Sequence, residues 1–146
     1  MTEQLQHSGR QVATDKAIAS DLTGAVFRNY QFLRLVARKK KFTDCDFSFS
    51  TFDSAYLRKC IFDFCIFVGC KFSSSNLLGC EFSGCKFDYA EFSHTLIEPE
   101  ILESGLPGPE NLQQKFARTL RTNFQQIGDL ASVNKAIQIE LEGPCS

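Results

Sequence analysis

A five-residue repeat runs through the middle of this 146-residue chain and constrains its fold more than any other feature. Every fifth residue from Phe42 to Ile97 is large and apolar. The position two residues before each of these holds Cys, Ser, Ala or Thr from Cys45 onward. A helical period of about 3.6 or a strand period of two does not produce this pattern. The large positions are Phe42, Phe47, Phe52, Leu57, Phe62, Phe67, Phe72, Leu77, Phe82, Phe87, Phe92 and Ile97.

A second period, of twenty residues, lies inside the period of five. Large residues that are twenty apart form four columns. Three of these columns contain only phenylalanine, and the fourth contains Leu57, Leu77 and Ile97. The small position agrees, because the aliphatic column is the one that never carries cysteine there. Residues twenty apart therefore share an environment, which predicts a coil with four faces whose successive turns stack at the spacing of a β-sheet, about 4.8 Å.

These repeats resemble the pentapeptide-repeat family, whose motif is Ala or Cys, a polar residue, Leu or Phe, and two variable residues. Cys80-Glu-Phe-Ser-Gly, Cys85-Lys-Phe-Asp-Tyr and Ala90-Glu-Phe-Ser-His fit the motif closely. The resemblance covers residues 42–97 well and residues 20–41 loosely. It implies a mainly β fold, a right-handed quadrilateral β-helix with about three regular coils and a degenerate N-terminal coil that caps it.

The segments around the β-helix have different patterns. We expect residues 1–19 to form a flexible N-terminus, residues 20–97 the β-helix and residues 98–109 a linker rich in proline and glycine. Residues 110–142 have helical periodicity, with Gly128 as a helix stop and Asp129 as the next N-cap. The apolar lines are Leu112, Phe116, Leu120, Phe124 and Ile127, then Leu130, Val133, Ile137 and Leu141.

The predicted helical hairpin resembles a single tetratricopeptide-like repeat, particularly around residues 128–133. An array of such repeats needs about three units to be stable alone. The hairpin must therefore either cap the β-helix or pair with a second copy of the chain.

Seven cysteines raise the question of a metal or redox site. No CxxC pair is present, and neither His7 nor His94 lies beside a cysteine pair, so no metal and no cofactor are predicted. In a four-faced coil, the neighbouring Cys60, Cys65 and Cys70 fall on different faces, where each fills a tight corner. No apolar run approaches the length of a membrane span and the N-terminus has no signal-peptide core, so we expect a cytoplasmic protein with reduced thiols.

Catalysis is not predicted, because the acidic residues are scattered singly and no nucleophile–base pair is evident. No small-molecule substrate is expected, because a packed β-helix offers no cavity. The charge distribution does not require nucleic acid as a partner, and no direct contact with it is expected. The basic run at residues 38–41 is interpreted as solvated charge that blunts an exposed edge, with a partner-binding role as the alternative.

The candidate site is an apolar surface that the repeat directs outward. On the third face, centred on Phe52, Phe72 and Phe92, the variable positions are polar. On the first and second faces of the middle coil, around Phe62 and Phe67, most of them are apolar. A soluble monomer seldom leaves such a patch bare. Either the C-terminal hairpin or the N-terminal segment covers it, or it binds a protein partner or a second copy. The residues of this apolar patch are Phe49, Ile61, Phe64, Ile66, Val68 and Tyr89.

The sequence is therefore interpreted as a non-enzymatic scaffold for protein interaction, through the apolar patch or the C-terminal helices. The family resemblance implies one alternative, a DNA mimic that modulates DNA gyrase or topoisomerase, as in the quinolone-resistance branch. Residues 42–97 carry seven acidic and four basic residues, a net charge of −3. B-DNA carries about eight phosphates along an equivalent ~14 Å, so the β-helix has less than half of the negative charge of DNA. This difference favours the scaffold over the DNA mimic. A second alternative is an accessory domain of a larger protein.

Overall fold

The structure is a computed structural model, and it describes residues 10–142. These residues form a parallel β-helix of about four turns followed by helices, which confirms the predicted fold class. The strands are β1 (Gln11–Thr14), β2 (Leu22–Thr23), β3 (Tyr30–Leu33), β4 (Lys41–Thr43), β5 (Thr51–Asp53), β6 (Ile61–Asp63), β7 (Lys71–Ser73), β8 (Glu81–Ser83) and β9 (Glu91–Ser93). The helices are α1 (Ile101–Ser104), α2 (Glu110–Ile127) and α3 (Leu130–Glu142).

Four faces surround the β-helix axis. Strands β2, β4, β6 and β8 stack in parallel on the first face, and β1, β3, β5, β7 and β9 stack on the third. On the second and fourth faces, successive coils are joined by single β-bridges, such as Asp46 to Ile66 and Tyr56 to Asn76. In the regular coils every pairing joins residues twenty apart, for example Phe42 with Phe62. The period of twenty in the sequence is thus the length of one turn.

Phenylalanine rings fill the interior in vertical stacks. Adjacent rings lie nearly parallel, with centroids 4.8 Å apart for Phe42 and Phe62 and 4.7 Å apart for Phe52 and Phe72. This spacing matches the separation of neighbouring strands, so ring stacking and strand pairing have the same repeat. The twelve large residues of the five-residue pattern are all buried.

The small position of each repeat also has a hydrogen-bonding role. Where the small residue is Cys or Ser, its side chain donates to the carbonyl oxygen of the residue 23 positions earlier, in the coil below. The Cys70 thiol lies 2.9 Å from the oxygen of Phe47, and the Ser50 hydroxyl lies 2.6 Å from the oxygen of Phe27. Cysteine and serine therefore fill the corner and also satisfy a buried carbonyl, which alanine cannot do. The six cysteines in the described part of the chain are free thiols.

A left-handed backbone residue turns the chain at the corners. This residue stands two places after the large residue of each repeat. The first such position in the described coils is Asp15 and the last is His94. Most of these positions hold residues that tolerate positive φ, such as Gly, Asn, Asp or Ser, or exposed charged side chains. Phe49, Phe64 and Tyr89 are exceptions, with φ of 63°, 56° and 63°.

The N-terminal coil begins before residue 20, where the sequence pattern placed its start. Strand β1 pairs with β3 in a register of nineteen, so that Ala13 lies beside Phe32. One residue is missing between the repeats of Ile18 and Leu22, and this shift hides the pattern in the sequence. The Tyr30 ring stacks on Phe32 at 5.2 Å, filling the interior of this irregular coil with a side chain too large for a regular corner. Residues 1–9 lie outside the described residues.

The C-terminal helices close the other end. The predicted linker contains the short helix α1, whose Ile101 and Leu102 are buried. Helix α2 lies along β9, and its Asn123 is fully buried there. The Asn123 side chain accepts from the Thr95 amide and donates to the Thr95 carbonyl, both at 2.8 Å. Thr119 accepts from the Phe92 amide at 2.9 Å. These side chains satisfy the open edge of the last strand, which supports the capping role over pairing.

Helix α3 differs in detail from the predicted apolar line. Asp129 caps it as expected, accepting from the Ser132 amide at 3.2 Å. However, Leu130 and Leu141 are 70 % and 77 % exposed, whereas Ala136 and Ile139 are buried. The prediction was wrong for these two leucines, whereas the predicted Val133 is buried and Ile137 packs against the core. The buried face of α3 therefore includes Ala136 and Ile139 and leaves out the leucines near its two ends.

Candidate protein-binding surface

The structure places the residues of the apolar patch on one side of the β-helix. Ile61 projects from the first face, Ile66 and Val68 from the second, and Phe64 from the corner between them. Phe49 and Tyr89 occupy the far corner of the second face, one coil below and one coil above the middle coil. Phe64 is 63 % exposed, Tyr89 57 % and Phe49 49 %. Ile66 and Val68 are partly exposed.

The aromatic corner residues lie in a backbone conformation that suits them poorly. A side chain with a Cβ costs roughly 1–2 kcal/mol in the left-handed region, and a bulky residue there is an outlier. The rings of Phe49 and Phe64 occupy space that a glycine in the next coil provides. Phe64 packs over Gly84, and Phe49 packs over Gly69, so that a Cβ on either glycine would lie 2.6 Å from a ring carbon. Two glycines thus accommodate two exposed aromatic rings.

Charged residues border the apolar residues above and below. On the second face Asp46 lies below Ile66 and Lys86 lies above it. On the first face Lys41 lies below Ile61 and Glu81 lies above it. The patch is therefore an apolar row one coil high, interrupted by Asp63 between Ile61 and Phe64 and extended by Phe49 and Tyr89, rather than a broad apolar face.

The lower border of the second face is a fixed negative charge. Asp46 accepts from the Ser48 amide at 2.9 Å and from the Ser48 hydroxyl at 2.6 Å. It also pairs with Arg28 at 3.0 Å. Partial burial opposes ionisation, but the hydrogen bonds from Ser48 and Arg28 together hold the pKa of Asp46 below its ordinary value. The Arg28 guanidinium also lies 5.4 Å from the centre of the Phe49 ring.

The described chain leaves the apolar patch open. Helix α2 packs on the edge of β9 and on the end of the phenylalanine stacks, where Phe116 contacts Phe87 and Phe92. At the other end Arg10 donates to the Phe49 carbonyl at 3.2 Å and so touches the backbone of the patch. The exposed fractions of Phe49, Phe64 and Tyr89 are high in the part of the chain that the structure describes, residues 10–142.

A second exposed apolar column lies on the fourth face, and the sequence analysis missed it. Val36, Tyr56 and Leu96 are 44 %, 37 % and 39 % exposed, and they belong to one vertical series of bridges. The sequence signal was present, because Tyr56 and Leu96 each stand one place before a residue of the aliphatic column, and Val36 stands before Ala37 in the same register. The polar Asn76 interrupts the series between Tyr56 and Leu96.

The described residues do not assemble a recognisable catalytic or metal site. In residues 10–142, no group of three or more His, Cys, Asp or Glu side chains is placed to hold a metal ion. The Ser93 hydroxyl lies 3.0 Å from Nδ1 of His94, but Ser93 ends strand β9, His94 stands at the corner after it, and the contact is exposed to solvent. Burial raises the pKa of the Cys70 thiol to about 12, which keeps it protonated at neutral pH. None of the described helices has both the length and the hydropathy to cross a bilayer.

Comparisons with known proteins agree with the geometry of the repeat. The family model described as pentapeptide repeats matches eight copies, at residues 41–77 and 65–96. No curated protein sequence matches this chain.

Two solved structures of trypsin-treated variants of QnrB1, a plasmid-mediated fluoroquinolone resistance protein, are weakly similar. One is 10 % identical with a TM-score of 0.14 and covers 59 % of this chain and 74 % of that chain. The other is 14 % identical with a TM-score of 0.15 and covers 60 % and 81 %. Superpositions this poor carry no weight for function.

Proposed function

Because this chain belongs to the pentapeptide-repeat family, we propose that it is a non-enzymatic scaffold in the cytoplasm whose apolar patch binds a protein. The observation that carries the proposal is the placement of Phe64 and Tyr89. Both rings are mostly exposed, and both stand at left-handed corners where other coils carry residues such as Asp, Asn, Ser or Gly. Neither solvation nor backbone preference favours an aromatic residue there, so a binding role gives the reason for its presence.

The chemistry of the patch suits a protein partner. Aromatic residues are enriched at the centres of protein interfaces, where they bring a large contact area and lose little conformational entropy. The patch has Phe64 and Ile66 at its centre and the charged Asp46 and Lys86 at its border. An apolar centre with a charged rim is the usual arrangement of such an interface.

Photo-crosslinking can test this proposal directly. A benzoylphenylalanine is placed at Phe64 in one variant and at Ser74 in a matched control. Both positions are exposed left-handed corners of the same coil, with φ of 56° and 52°, but Ser74 lies beside the polar third face. We expect protein adducts, either with a second copy or with another protein, from position 64 and not from position 74. No adducts from position 64, or equal adducts from both positions, would refute the proposal.

A gyrase-directed DNA mimic is the other function that family membership suggests. The described surface supports it less well, because acidic residues do not continue along a face. On the second face Asp46 is followed by Ile66 and then by Lys86. A supercoiling assay with purified gyrase tests this function, and it predicts inhibition that the scaffold proposal does not require.

A further inference from the structure

The second face has an unusual symmetry about its middle coil. Reading upward through the bridged column, an acidic residue, an aliphatic residue and a basic residue follow each other as Asp46, Ile66 and Lys86. At the adjoining corner an aromatic residue, a glycine and an aromatic residue follow as Phe49, Gly69 and Tyr89. Reversing the direction of the β-helix axis about the middle coil therefore places the acidic Asp46 where the basic Lys86 was and the aromatic Phe49 where the aromatic Tyr89 was.

We propose that the second face binds a second copy of this chain, with the two β-helices antiparallel about a two-fold axis along the strand direction through Ile66. This inference rests on the proposed function and names its partner. In this arrangement Asp46 of each copy faces Lys86 of the other, and Phe49 of each faces Tyr89 of the other. Phe64, Ile66 and Val68 lie along the axis and meet their own counterparts, which makes the contact self-complementary as a two-fold interface must be.

The charges disfavour the competing parallel arrangement. A two-fold axis parallel to the β-helix axis would set Asp46 against Asp46 and Lys86 against Lys86. Like charges placed together in an interface cost several kcal/mol. Asp46 is already held as an anion by Ser48 and Arg28, so it cannot easily escape that cost by protonation. The antiparallel arrangement turns the same four charges into two attractive pairs.

The other faces are less suited to the same operation. On the first face the acidic Asp63 would meet its own counterpart in the central row, which places like charges together. On the third face the central residue Lys71 would meet a second Lys71. The fourth face has Asn76 in its central row, and the aromatic Tyr56 would meet Leu96. The second face alone among these has an entirely apolar central row.

The expected contact is small. About four coils at ~4.8 Å each form a face only ~19 Å tall. A face five residues wide is at most ~17 Å across at ~3.3 Å per residue, so its area is roughly 320 Å². This is well below the ~800 Å² per partner of a standard interface, so the dimer should be weak and dependent on concentration. Sedimentation velocity over a range of protein concentrations measures it. We expect Lys86→Glu to weaken self-association at least ~tenfold, because two repulsive pairs replace two attractive ones.

Two further variants separate charge from misfolding. Lys71→Glu makes the same charge change at an exposed strand position of the third face, and it should leave self-association unchanged. Adding Asp46→Asn to Lys86→Glu removes the repulsion while keeping an oxygen for the Ser48 bonds, and it should restore part of the association. Thermal unfolding of each variant verifies that the fold is intact. Equal association of wild type and Lys86→Glu would overturn the proposal.

Cross-linking determines the orientation. Phe49→Cys and Tyr89→Cys are made separately in a Cys145→Ser background and treated with a short bis-maleimide. The antiparallel dimer predicts cross-linked dimers when the two variants are mixed and little when either is treated alone. Cross-linking of each variant with itself would indicate the parallel arrangement and refute the inference. Adducts from position 64 with other proteins only, and no dimer, would refute this inference while leaving the proposed function in place.

Discussion

Replacing Phe64 by asparagine should remove an exposed aromatic ring with almost no loss of stability. Phe64 is 63 % exposed, so it buries only about a third of its surface. Complete burial of a phenylalanine contributes roughly 1.5–3 kcal/mol, and a third of that is about 0.5–1 kcal/mol. In return, asparagine tolerates positive φ and relieves part of the ~1–2 kcal/mol cost of the left-handed corner. The two terms nearly cancel, and we expect a change within about 1 kcal/mol.

The neighbouring Phe62 is the matched comparison. It stands two residues earlier in strand β6, is 2 % exposed and stacks between Phe42 and Phe82. Phe62→Ala should therefore cost about 3–5 kcal/mol. Urea unfolding followed by circular dichroism measures both variants, and the sedimentation or cross-linking assay measures binding. We expect Phe64→Asn to lose association while remaining folded. A loss of more than about 2 kcal/mol from Phe64→Asn would refute the reasoning, because Phe64 would then be a structural residue.

The remaining predictions concern the glycine, the cap and the buried thiol. Gly84→Ala should destabilise the wild type by about 1–2 kcal/mol and the Phe64→Asn variant by less, since the added Cβ meets the Phe64 ring; a double-mutant cycle of unfolding free energies measures this coupling. Asn123→Ala should cost about 2–4 kcal/mol, seen in thermal unfolding, because both backbone groups of Thr95 lose their partner; an unchanged melting temperature would contradict the capping role. Cys70→Ser should change stability by less than about 1 kcal/mol near neutral pH, as Ser50 makes the equivalent bond in the coil below. Burial raises the pKa of Cys70 from 9.0 to about 12, so the unfolded chain loses this proton at a lower pH than the folded chain. As pH rises above 9, the unfolding free energy of the wild type should therefore fall by up to ~1.4 kcal/mol per pH unit relative to Cys70→Ser. Parallel stability profiles of the two proteins against pH would contradict this.

Part of the candidate surface could be predicted from the sequence because the repeat assigns a direction to every residue. Once the period of five is known, Ile61, Ile66 and Val68 must point outward, and Phe64 must stand at a corner. The charged borders of the patch could be identified only from the pairing of successive coils, because Asp46, Ile66 and Lys86 become neighbours only in the folded β-helix. The apolar column on the fourth face was equally accessible from the sequence and was missed.

The sequence by itself determined the coil, its four faces and the identity of its core, because each turn repeats the same local geometry and the large residue always enters the same interior. Tertiary structure decided what happens where that repetition stops. The register of nineteen in the first coil depends on one missing residue. The position of the helical hairpin depends on whether the Asn123 side chain can hydrogen-bond to the backbone of Thr95. Contacts between unlike elements have no period. They depend on which surfaces happen to fit, and only the folded chain brings those surfaces together.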